Sequence, residues 1–391
     1  MLEIENFNHD FKGISKINGK IIFVKDALPG EMVEIKITKE KKSYSEAIVT
    51  NYIRTSKDRI KPKCKYFGFC GGCDIMNMNY LNQLKCKEDK INNIIKKYIK
   101  KNVKINSIIF DNDIEYRNKI KFQISKKVGL FKNNSYEVIE IDNCKIADKK
   151  INQCIPYLNK LDLKKIKNIT CRTAQNKLMI IIETKNKNDN LDLSPILNIA
   201  DSIYIDDKHI YNDKTILEKL DDFEYIISPK SFFQINKKVC LKLYKKIKDY
   251  VGENNKILDL YCGCGSIGIF ISKNNEVLGV EINKSAINDA NKNKELNKLN
   301  KINFICGDSA LENDFKPNII IVDPPRSGLN DKTIKKINNL KPEKLIYVSC
   351  NPMTLVRDLN KLNLFEIIEI TPFDMFPNTK HCESLCLLER K

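Results

Sequence analysis

Short apolar runs separated by helical stretches occupy the chain from about residue 225 onward. The runs are KILDLYCGCG, EVLGVEI, INFICGD, NIIIVDPPR and KLIYVSCNP. This alternation is typical of parallel strands joined by crossover helices, so it predicts a doubly wound, Rossmann-like α/β sheet. Two further runs, FEIIEI and SLCLLE, predict strands at the end of that sheet, the last of them antiparallel. We assign this domain to residues 223–391.

The N-terminal stretch alternates polar and apolar residues between turn signals at Gly13, Gly19 and Pro29-Gly30. Short strands bounded by such turns predict a small OB-like β-barrel over residues 1–58. A purely structural barrel is one interpretation. Contact with RNA is the interpretation we favour, because the stretch is rich in basic residues, which include Lys12, Lys16, Lys20 and Lys25.

Residues 59–222 combine a cysteine-rich segment, one long helix and a strand-rich region. From about Tyr80 to Lys100, apolar residues recur at helical spacing. We interpret this stripe as core packing; its members are Leu81, Leu84, Ile91, Ile94, Ile95, Tyr98 and Ile99. The region from about 113 to 220 carries runs such as YRNKIKFQI, YEVIEI and KLMIIIE, which predict strands. The sequence therefore predicts an α+β central domain.

The composition adds a preference for a polyanionic partner. The chain has 391 residues, more than a single hydrophobic core usually organises, so we expect two or three domains. The formal charge of +18 favours nucleic acid, with a codon usage that enriches Lys and Asn as the alternative explanation. There is no apolar run of about 18 residues and no signal-peptide pattern, so we expect a cytoplasmic protein without membrane contact. No sequence feature indicates an obligate protein partner.

The cysteines form a candidate metal site. The chain has 14 of them, many for a reducing compartment in which disulfides are disfavoured. Cys64, Cys70 and Cys73 are spaced C-x5-C-x2-C, and Cys144 in EIDNCKIAD is the candidate fourth ligand. Cys86 is a rival fourth ligand, although it lies within the predicted helix. Four thiolates suit zinc or an iron–sulfur cluster, and the spacing alone does not choose between them.

A glycine-rich loop follows the first strand of the predicted C-terminal sheet. Gly263 and Gly265 allow a sharp turn and a close approach of the backbone to a nucleotide cofactor. Glu281 ends the second strand, where a carboxylate accepts hydrogen bonds from ribose hydroxyls, and Asp308 follows the third strand, near the expected adenine edge. The glycine pattern fits NAD as well as S-adenosylmethionine (SAM).

The next two strands end in residues that hydride transfer does not need. Asp323 lies at the end of the fourth strand in DPPR, and Cys350 follows the fifth in SCNP. Glu383 begins the last strand, from which it can reach the same cleft. A thiolate that adds to C6 of a pyrimidine makes C5 nucleophilic, and a base then removes the C5 proton. That chemistry needs one cysteine, one carboxylate and a methyl donor in a single cleft.

Six motifs give the chain a specific resemblance: SPKSFFQIN, DLYCGCGSIGI, GVE, IVDPPRSGL, YVSCNP and DMFPNTKHCE. With these motifs it resembles the RNA uracil-C5 methyltransferases over nearly its whole length, and GISKINGKIIFV and ALPGE resemble the RNA-binding TRAM domain. The resemblance implies that Cys350 is the nucleophile and Glu383 the proton acceptor. It implies that Phe232 stacks near the target base, and that His381 supports the site. The SAM contacts that it implies are Gln234, Tyr261, Glu281, Asp323 and Asp308.

The same resemblance also implies which metal the cysteines hold and which RNA is the substrate. Family members with this cysteine pattern hold a [4Fe-4S] cluster, which implies that cluster here, with zinc as the alternative. The subtype and length resemble the members that act on 23S ribosomal RNA, with tRNA as the alternative substrate. Cytosine-C5 enzymes place a cysteine directly after DPP, where this chain has Arg326. A non-catalytic RNA-binding or assembly factor and a NAD-linked redox protein are the competing hypotheses.

Overall fold

The computed structural model describes residues 1–187, 190–312 and 314–391. Three sheets of six or more strands and one two-stranded sheet make up its β-structure. In this part of the chain, no helix combines the length and the apolar character needed to cross a bilayer.

The first sheet is barrel-like and has the order β1-β5-β6-β4-β3-β2. Its strands are β1 (Leu2–Glu3), β2 (Asn6–Phe7), β3 (Gly13–Ile17), β4 (Lys20–Lys25), β5 (Met32–Glu40) and β6 (Tyr44–Arg54). Alternate side chains fill a small core that includes Ile4, Val24 and Val33. The buried Glu31 carboxylate accepts a 2.8 Å hydrogen bond from the Leu28 amide and pairs with Arg59, which joins this sheet to the cysteine-rich segment.

Helix α1 (Tyr80–Tyr98) begins at Asn79, whose side chain accepts a hydrogen bond from the Asn82 amide. Five members of the predicted stripe are buried, namely Leu84, Ile91, Ile94, Ile95 and Ile99. The prediction is wrong for the other two, because Leu81 is 71% exposed and Tyr98 is 38% exposed. Both lie in the terminal turns of the helix. The buried residues share a core with the C-terminal sheet, so α1 packs on that sheet rather than on the central one.

After α1 come the short strand β7 (Lys104–Ile105) and a seven-stranded sheet of order β10-β9-β8-β11-β12-β13-β14. The elements of this region are β8 (Lys119–Ile124), β9 (Val128–Phe131), β10 (Val138–Glu140), α2 (Lys149–Leu158), β11 (Ile166–Ala174), β12 (Lys177–Thr184), α3 (Ser194–Leu197), β13 (Ser202–Ile205) and β14 (Lys208–Asn212). Helix α2 buries Ile151, Cys154 and Ile155 in the core of this sheet.

The C-terminal sheet has the order β19-β18-β17-β20-β21-β23-β22-β7. It follows the hairpin β15 (Ile216–Leu220) and β16 (Phe223–Ile227), and its elements are α4 (Lys237–Val251), β17 (Lys256–Leu260), α5 (Ser266–Ile271), β18 (Glu276–Glu281), α6 (Lys284–Leu296), β19 (Ile302–Cys306), β20 (Ile319–Val322), α7 (Asp331–Leu340), β21 (Lys344–Ser349), α8 (Pro352–Leu359), β22 (Phe365–Phe373) and β23 (Glu383–Arg390).

Five strands of this sheet, β17 to β21, are parallel, and β23 is antiparallel to both of its neighbours. The prediction of a doubly wound sheet with an antiparallel last strand is confirmed. Ligands bind at the carboxyl ends of parallel strands in such sheets. The start of antiparallel β23 lies at that same edge, beside the end of β21.

Candidate active site

The glycine loop between β17 and α5 adopts the conformation that its glycines permit. Gly265 has φ +77°, and a Cβ there would lie 2.4 Å from Cζ of Phe304. The Gly263 amide donates a 3.2 Å hydrogen bond to Glu281 Oε2, and the Asn283 amide donates a 2.8 Å bond to Oε1. Glu281 therefore stands at the end of β18 against the glycine loop, as its place in the sequence predicts.

Tyr261, between β17 and the glycines, has φ +63° and belongs to a hydroxyl network. Its hydroxyl accepts a 2.9 Å hydrogen bond from Ser309 Oγ and lies 3.3 Å from Thr333 Oγ1. Sequence reasoning missed Ser309 and Thr333, because single hydroxyl residues after β19 and on α7 carry no motif. Their contacts fix the orientation of the Tyr261 ring.

Sequence reasoning also missed Asp259 on β17. Its side chain is fully buried and accepts a 3.1 Å hydrogen bond from the Gly268 amide. Burial, and secondarily the charge of Asp323, raise the pKa of Asp259 to about 8. Inside the strand KILDL, this carboxyl interrupts an apolar run, and that departure from an apolar strand was the available signal. The contact with Gly268 holds helix α5 close to β17.

Asp308 lies two residues beyond β19, at the same edge of the sheet as Glu281. Its side chain is exposed and accepts a 2.8 Å hydrogen bond from the Ala310 amide. In this structure the Asp308 carboxylate therefore contacts its own loop, and its contact with the adenine stays a prediction.

The loop between β16 and α4 presents Phe232 and Gln234. Phe232 is 68% exposed, and its carbonyl accepts a 3.3 Å hydrogen bond from Cys264 Sγ in the glycine loop. The buried Arg172 donates a 2.6 Å hydrogen bond to the Ser231 carbonyl. Gln234 is buried, and its carbonyl accepts a 3.2 Å bond from Asn118 Nδ2. The central domain and the glycine loop thus hold this loop from both sides while the Phe232 ring faces outward.

The sheet register brings Cys350 and Glu383 together. The last residue pair between β21 and β23 is Ser349 opposite Ser384. Because the two strands are antiparallel, one further step along each places Cys350 beside Glu383. Glu383 is buried, whereas Cys350 is partly exposed. Asp323 follows β20, the parallel neighbour of β21, so all three groups lie at one edge of the sheet.

Cys350, Glu383 and Asp323 influence one another's pKa values. The pKa of Cys350 is raised to about 11 by burial and by the carboxylates of Glu383 and Asp323, while the Arg326 guanidinium opposes that rise. Burial and Asp323 raise the pKa of Glu383, again against Arg326. The free site therefore favours a protonated thiol and a protonated carboxyl. Sequence reasoning used Arg326 to separate enzyme classes and missed its electrostatic position.

The loop from Asp374 to Cys382, which leads into Glu383, is held by helix α1. Lys87 Nζ donates a 2.6 Å hydrogen bond to Asp374 Oδ1 and a 3.0 Å bond to the Phe376 carbonyl, with both charged side chains fully buried. The Tyr80 hydroxyl donates to the second oxygen of Asp374 at 2.9 Å. Asn378 exchanges hydrogen bonds with Gln83, 3.1 Å each.

His381 lies in the same loop, with Nε2 3.4 Å from Nη2 of Arg326. Burial and the Arg326 charge lower its pKa to about 4, so the ring is neutral at pH 7. The supporting role of His381 stays a prediction.

The predicted metal ligands line one cavity of about 690 Å³, namely Cys64, Cys70, Cys73 and Cys144. Burial raises the pKa of Cys73 well above its usual value, and the other three cysteines add to this rise, so the four sulfurs are within electrostatic range of one another. Cys86 instead faces a second cavity beside the first sheet. Among the residues that the structure describes, no group of three or more His, Cys, Asp or Glu is close enough to hold a metal ion. The iron–sulfur part of the central-domain prediction is therefore not confirmed.

Two protein families match this chain. The family described as tRNA (Uracil-5-)-methyltransferase matches residues 79–312 and 308–391, and the TRAM domain matches residues 2–50. Uncharacterised RNA methyltransferases from two bacteria are similar over nearly their whole length. The one from Clostridium acetobutylicum is 32% identical, covering 99% of this chain and 96% of the relative. The one from Staphylococcus aureus is 31% identical, covering 99% and 97%.

Among solved structures, the chain is similar over its full length to an archaeal enzyme. It is the Pyrococcus abyssi tRNA (uracil-54, C5)-methyltransferase in complex with S-adenosyl-L-homocysteine. The sequence identity is 29%, the TM-score is 0.83, and the match covers 99% of each chain.

Proposed function

Since this chain belongs to the tRNA (uracil-5-)-methyltransferase family, we propose that it methylates C5 of a uridine in RNA, with Cys350 as nucleophile and Glu383 as base. The family and the TRAM domain establish a SAM-dependent RNA methyltransferase. The observation that supports these residue roles is the register of β21 and β23, which sets a partly exposed thiol beside a buried carboxyl.

In the proposed reaction Cys350 is the nucleophile, SAM is the methyl donor and Glu383 is the base. The Cys350 thiolate bonds to C6 of the uracil, and the electron pair of the C5–C6 double bond becomes available at C5. When bound, SAM would carry a positive charge that favours the ionised forms of Cys350 and Glu383, whose protons pass to solvent. It would also supply the methyl group that C5 takes up as the methyl–sulfur bond breaks. Glu383 then takes the C5 proton, the C5–C6 double bond re-forms, and the C6–sulfur bond breaks to release the thiolate.

The remaining site residues have roles in holding the reactants. For SAM we propose the glycine loop at Gly263 and Gly265, together with Gln234, Tyr261, Glu281, Asp308 and Asp323. Glu281 supports this assignment, because its Oε2 accepts a hydrogen bond from the Gly263 amide of that loop. We propose that the exposed Phe232 ring stacks on or near the target base once the base has left its own stack. Three functional units, 1–58, 59–222 and 223–391, would then bind RNA, orient it and methylate it.

For the RNA we propose 23S ribosomal RNA, on the sequence resemblance, with tRNA as the second candidate. The second candidate is favoured by the similarity to the Pyrococcus abyssi tRNA enzyme. Mapping 5-methyluridine in total RNA from a deletion strain decides between the two. Loss of the modification from 23S RNA supports the first candidate, and its loss from tRNA supports the second.

We also propose that Cys64, Cys70, Cys73 and Cys144 hold a [4Fe-4S] cluster, or zinc in its place. The four thiols line one cavity and are the donor set that both metals accept, and they would have to close around the metal to bind it. Such a site would stabilise the domain and shape the RNA surface. Iron, sulfide and zinc contents of anaerobically purified protein test this, and a protein with none of them would contradict it.

The covalent step is tested with RNA that contains 5-fluorouridine, because fluorine cannot leave C5 as a proton. With SAM, the native protein is expected to form an adduct stable to denaturing gels, and Cys350→Ala none. Cys306→Ala, which removes an exposed cysteine, is the control that keeps the adduct. Glu383→Gln is expected to accumulate an adduct even on ordinary uridine. An adduct in Cys350→Ala would overturn the assignment.

A further inference from the structure

Three aromatic side chains are exposed on one part of the central domain. Tyr136 is 90% exposed, Phe69 is 63% exposed and Phe131 is 38% exposed. The rings of Phe131 and Tyr136 meet edge to face, with centroids 5.7 Å apart. Large exposed aromatics in a group are unusual on a protein surface and mark binding sites. We call these three residues the aromatic platform.

The platform stands on ordered backbone rather than on a free loop. Cys70 and Lys132 form an antiparallel bridge between the cysteine-rich segment and the end of β9. The Asn133 amide donates a 2.8 Å hydrogen bond to the Phe69 carbonyl, and the Gly71 amide donates a 3.0 Å bond to the Phe131 carbonyl. Phe69 is therefore fixed beside the hairpin that carries the other two rings.

The cavity beside the platform is the one that the four candidate metal-ligand cysteines line, and its charged side chains are mainly basic. Its lining includes Phe131 and Tyr136, and among the described residues that line it a single carboxylate, Asp74, accompanies five cationic side chains, which are Arg117, Lys121, Lys132, Lys145 and Lys380. Three of these lysines form ion pairs with half-exposed carboxylates, which are weak in water and can exchange for phosphate contacts. The charge of the cavity therefore matches a nucleic-acid backbone.

The same cavity leads toward the proposed nucleophile. Lys380 and His381 line it, and both also line a neighbouring cavity of about 250 Å³ that contains Cys350 and Arg326. A strand that passes Cys350 can therefore continue past these two residues to the platform. Bases stack on exposed aromatic rings while lysines follow the phosphates, which is the usual arrangement for unpaired nucleic acid.

We propose that the aromatic platform binds unpaired nucleotides of the RNA substrate that flank the target uridine. The proposal rests on the proposed function and adds a subsite to it. Stacking, not base pairing, holds these nucleotides, so the subsite accepts different bases but needs them to be single-stranded.

The test measures the Kd of an RNA stem-loop with unpaired flanking nucleotides by fluorescence anisotropy. Tyr136→Ala and Phe69→Ala are each expected to raise the Kd about tenfold, as the loss of one base–aromatic stack does. Tyr136→Phe keeps the ring and should bind as the native protein does. Tyr157→Ala on α2, which removes a tyrosine 39% exposed at another site, is the matched control.

Two further readouts separate the possible outcomes. At saturating RNA the rate of adduct formation by Tyr136→Ala should equal that of the native protein, since the platform holds RNA but does not react. With a blunt duplex RNA the Kd values of native and variant proteins should coincide. If both alanine variants bind the stem-loop with native affinity and the native protein still forms the adduct, the platform proposal is wrong and the proposed function stands. Absence of any native adduct would instead contradict the proposed function.

Discussion

The pKa of the Cys350 thiol depends on three charged neighbours. Burial, Glu383 and Asp323 raise it to about 11, and Arg326 acts in the opposite direction. At neutral pH the free site therefore contains little thiolate, and the thiolate is the reactive form. Any positive charge that enters or leaves this edge of the sheet changes the reactive fraction.

Arg326→Gln tests that dependence. Removal of the guanidinium raises the Cys350 pKa further, so the single-turnover rate of adduct formation at pH 7.5 should fall about tenfold, equivalent to ~1.4 kcal/mol. The pH at which the rate becomes half-maximal should move upward. Arg326→Lys keeps the charge and should retain most of the native profile. An Arg326→Gln variant with the native pH profile and only a higher KM would show that Arg326 binds RNA instead.

Gly265→Ala tests the glycine loop against a matched partner, Gly263→Ala. Both positions have positive φ, which costs an alanine ~1 to 2 kcal/mol. At Gly265 the new Cβ would also lie 2.4 Å from Phe304, whereas at Gly263 no heavy atom lies within 4 Å. Urea unfolding should therefore show the larger loss of stability for Gly265→Ala. Equal losses would mean that Phe304 moves aside freely.

At the scale of elements, the loop that precedes β23 depends on a helix almost 300 residues earlier in the chain. The fully buried pair of Lys87 and Asp374 is the centre of that contact. A buried ion pair adds little net stability, but removal of one partner leaves the other charge without compensation. The loop then loses its fixed relation to Glu383.

Lys87→Met should destabilise the protein by ~3 to 5 kcal/mol, because Asp374 remains buried and unpaired. Lys85→Met, at an exposed position on the same helix, is the control and should change stability by less than ~0.5 kcal/mol. The double change Lys87→Met with Asp374→Leu should recover part of the loss. Thermal and urea unfolding measure all three, and a native-like Lys87→Met variant would contradict this account.

At the scale of the molecule, three of the carboxyl groups at the active edge of the sheet have raised pKa values. Burial raises the pKa of Asp259 to about 8 and also raises the pKa values of Asp323 and Glu383. These three groups hold more protons in the folded protein than in the unfolded chain, so their contribution to stability falls as pH rises from about 4 to 8. The pKa of His381 is lowered to about 4, so this group makes the folded protein more stable as pH rises, but only up to about pH 6.5.

Between pH 6.5 and 8, the free energy of unfolding of the ligand-free protein should therefore decrease, by about 1 kcal/mol per pH unit for each carboxyl that is still protonated. Glu383→Gln removes one of these groups without changing its size and should flatten the slope. Glu366→Gln, an exposed position on β22, is the control. If the slope of the Glu383→Gln variant equals the native one, Glu383 is already ionised in the folded protein.

Much of this molecule follows from local sequence. Apolar runs separated by helical stretches identified the parallel sheet, because the hydrophobic periodicity of a strand or a helix involves only residues close together in the sequence. Glycines before a helix, and single polar residues at strand ends, identified the positions of Glu281, Asp323 and Cys350 at one edge. These features depend on residues close in sequence, and so the sequence was sufficient to predict them.

Tertiary structure decided what depends on distant parts of the chain. The position of Glu383 beside Cys350 required the register of β23, and the pairing of Lys87 with Asp374 joined residues that no local pattern connects. Local sequence also did not indicate the charges around Arg326, the hydroxyl partners of Tyr261 or the exposure of Leu81. Each depends on which surfaces meet after folding, and burial, not residue type, then sets the pKa values on which the proposed chemistry rests.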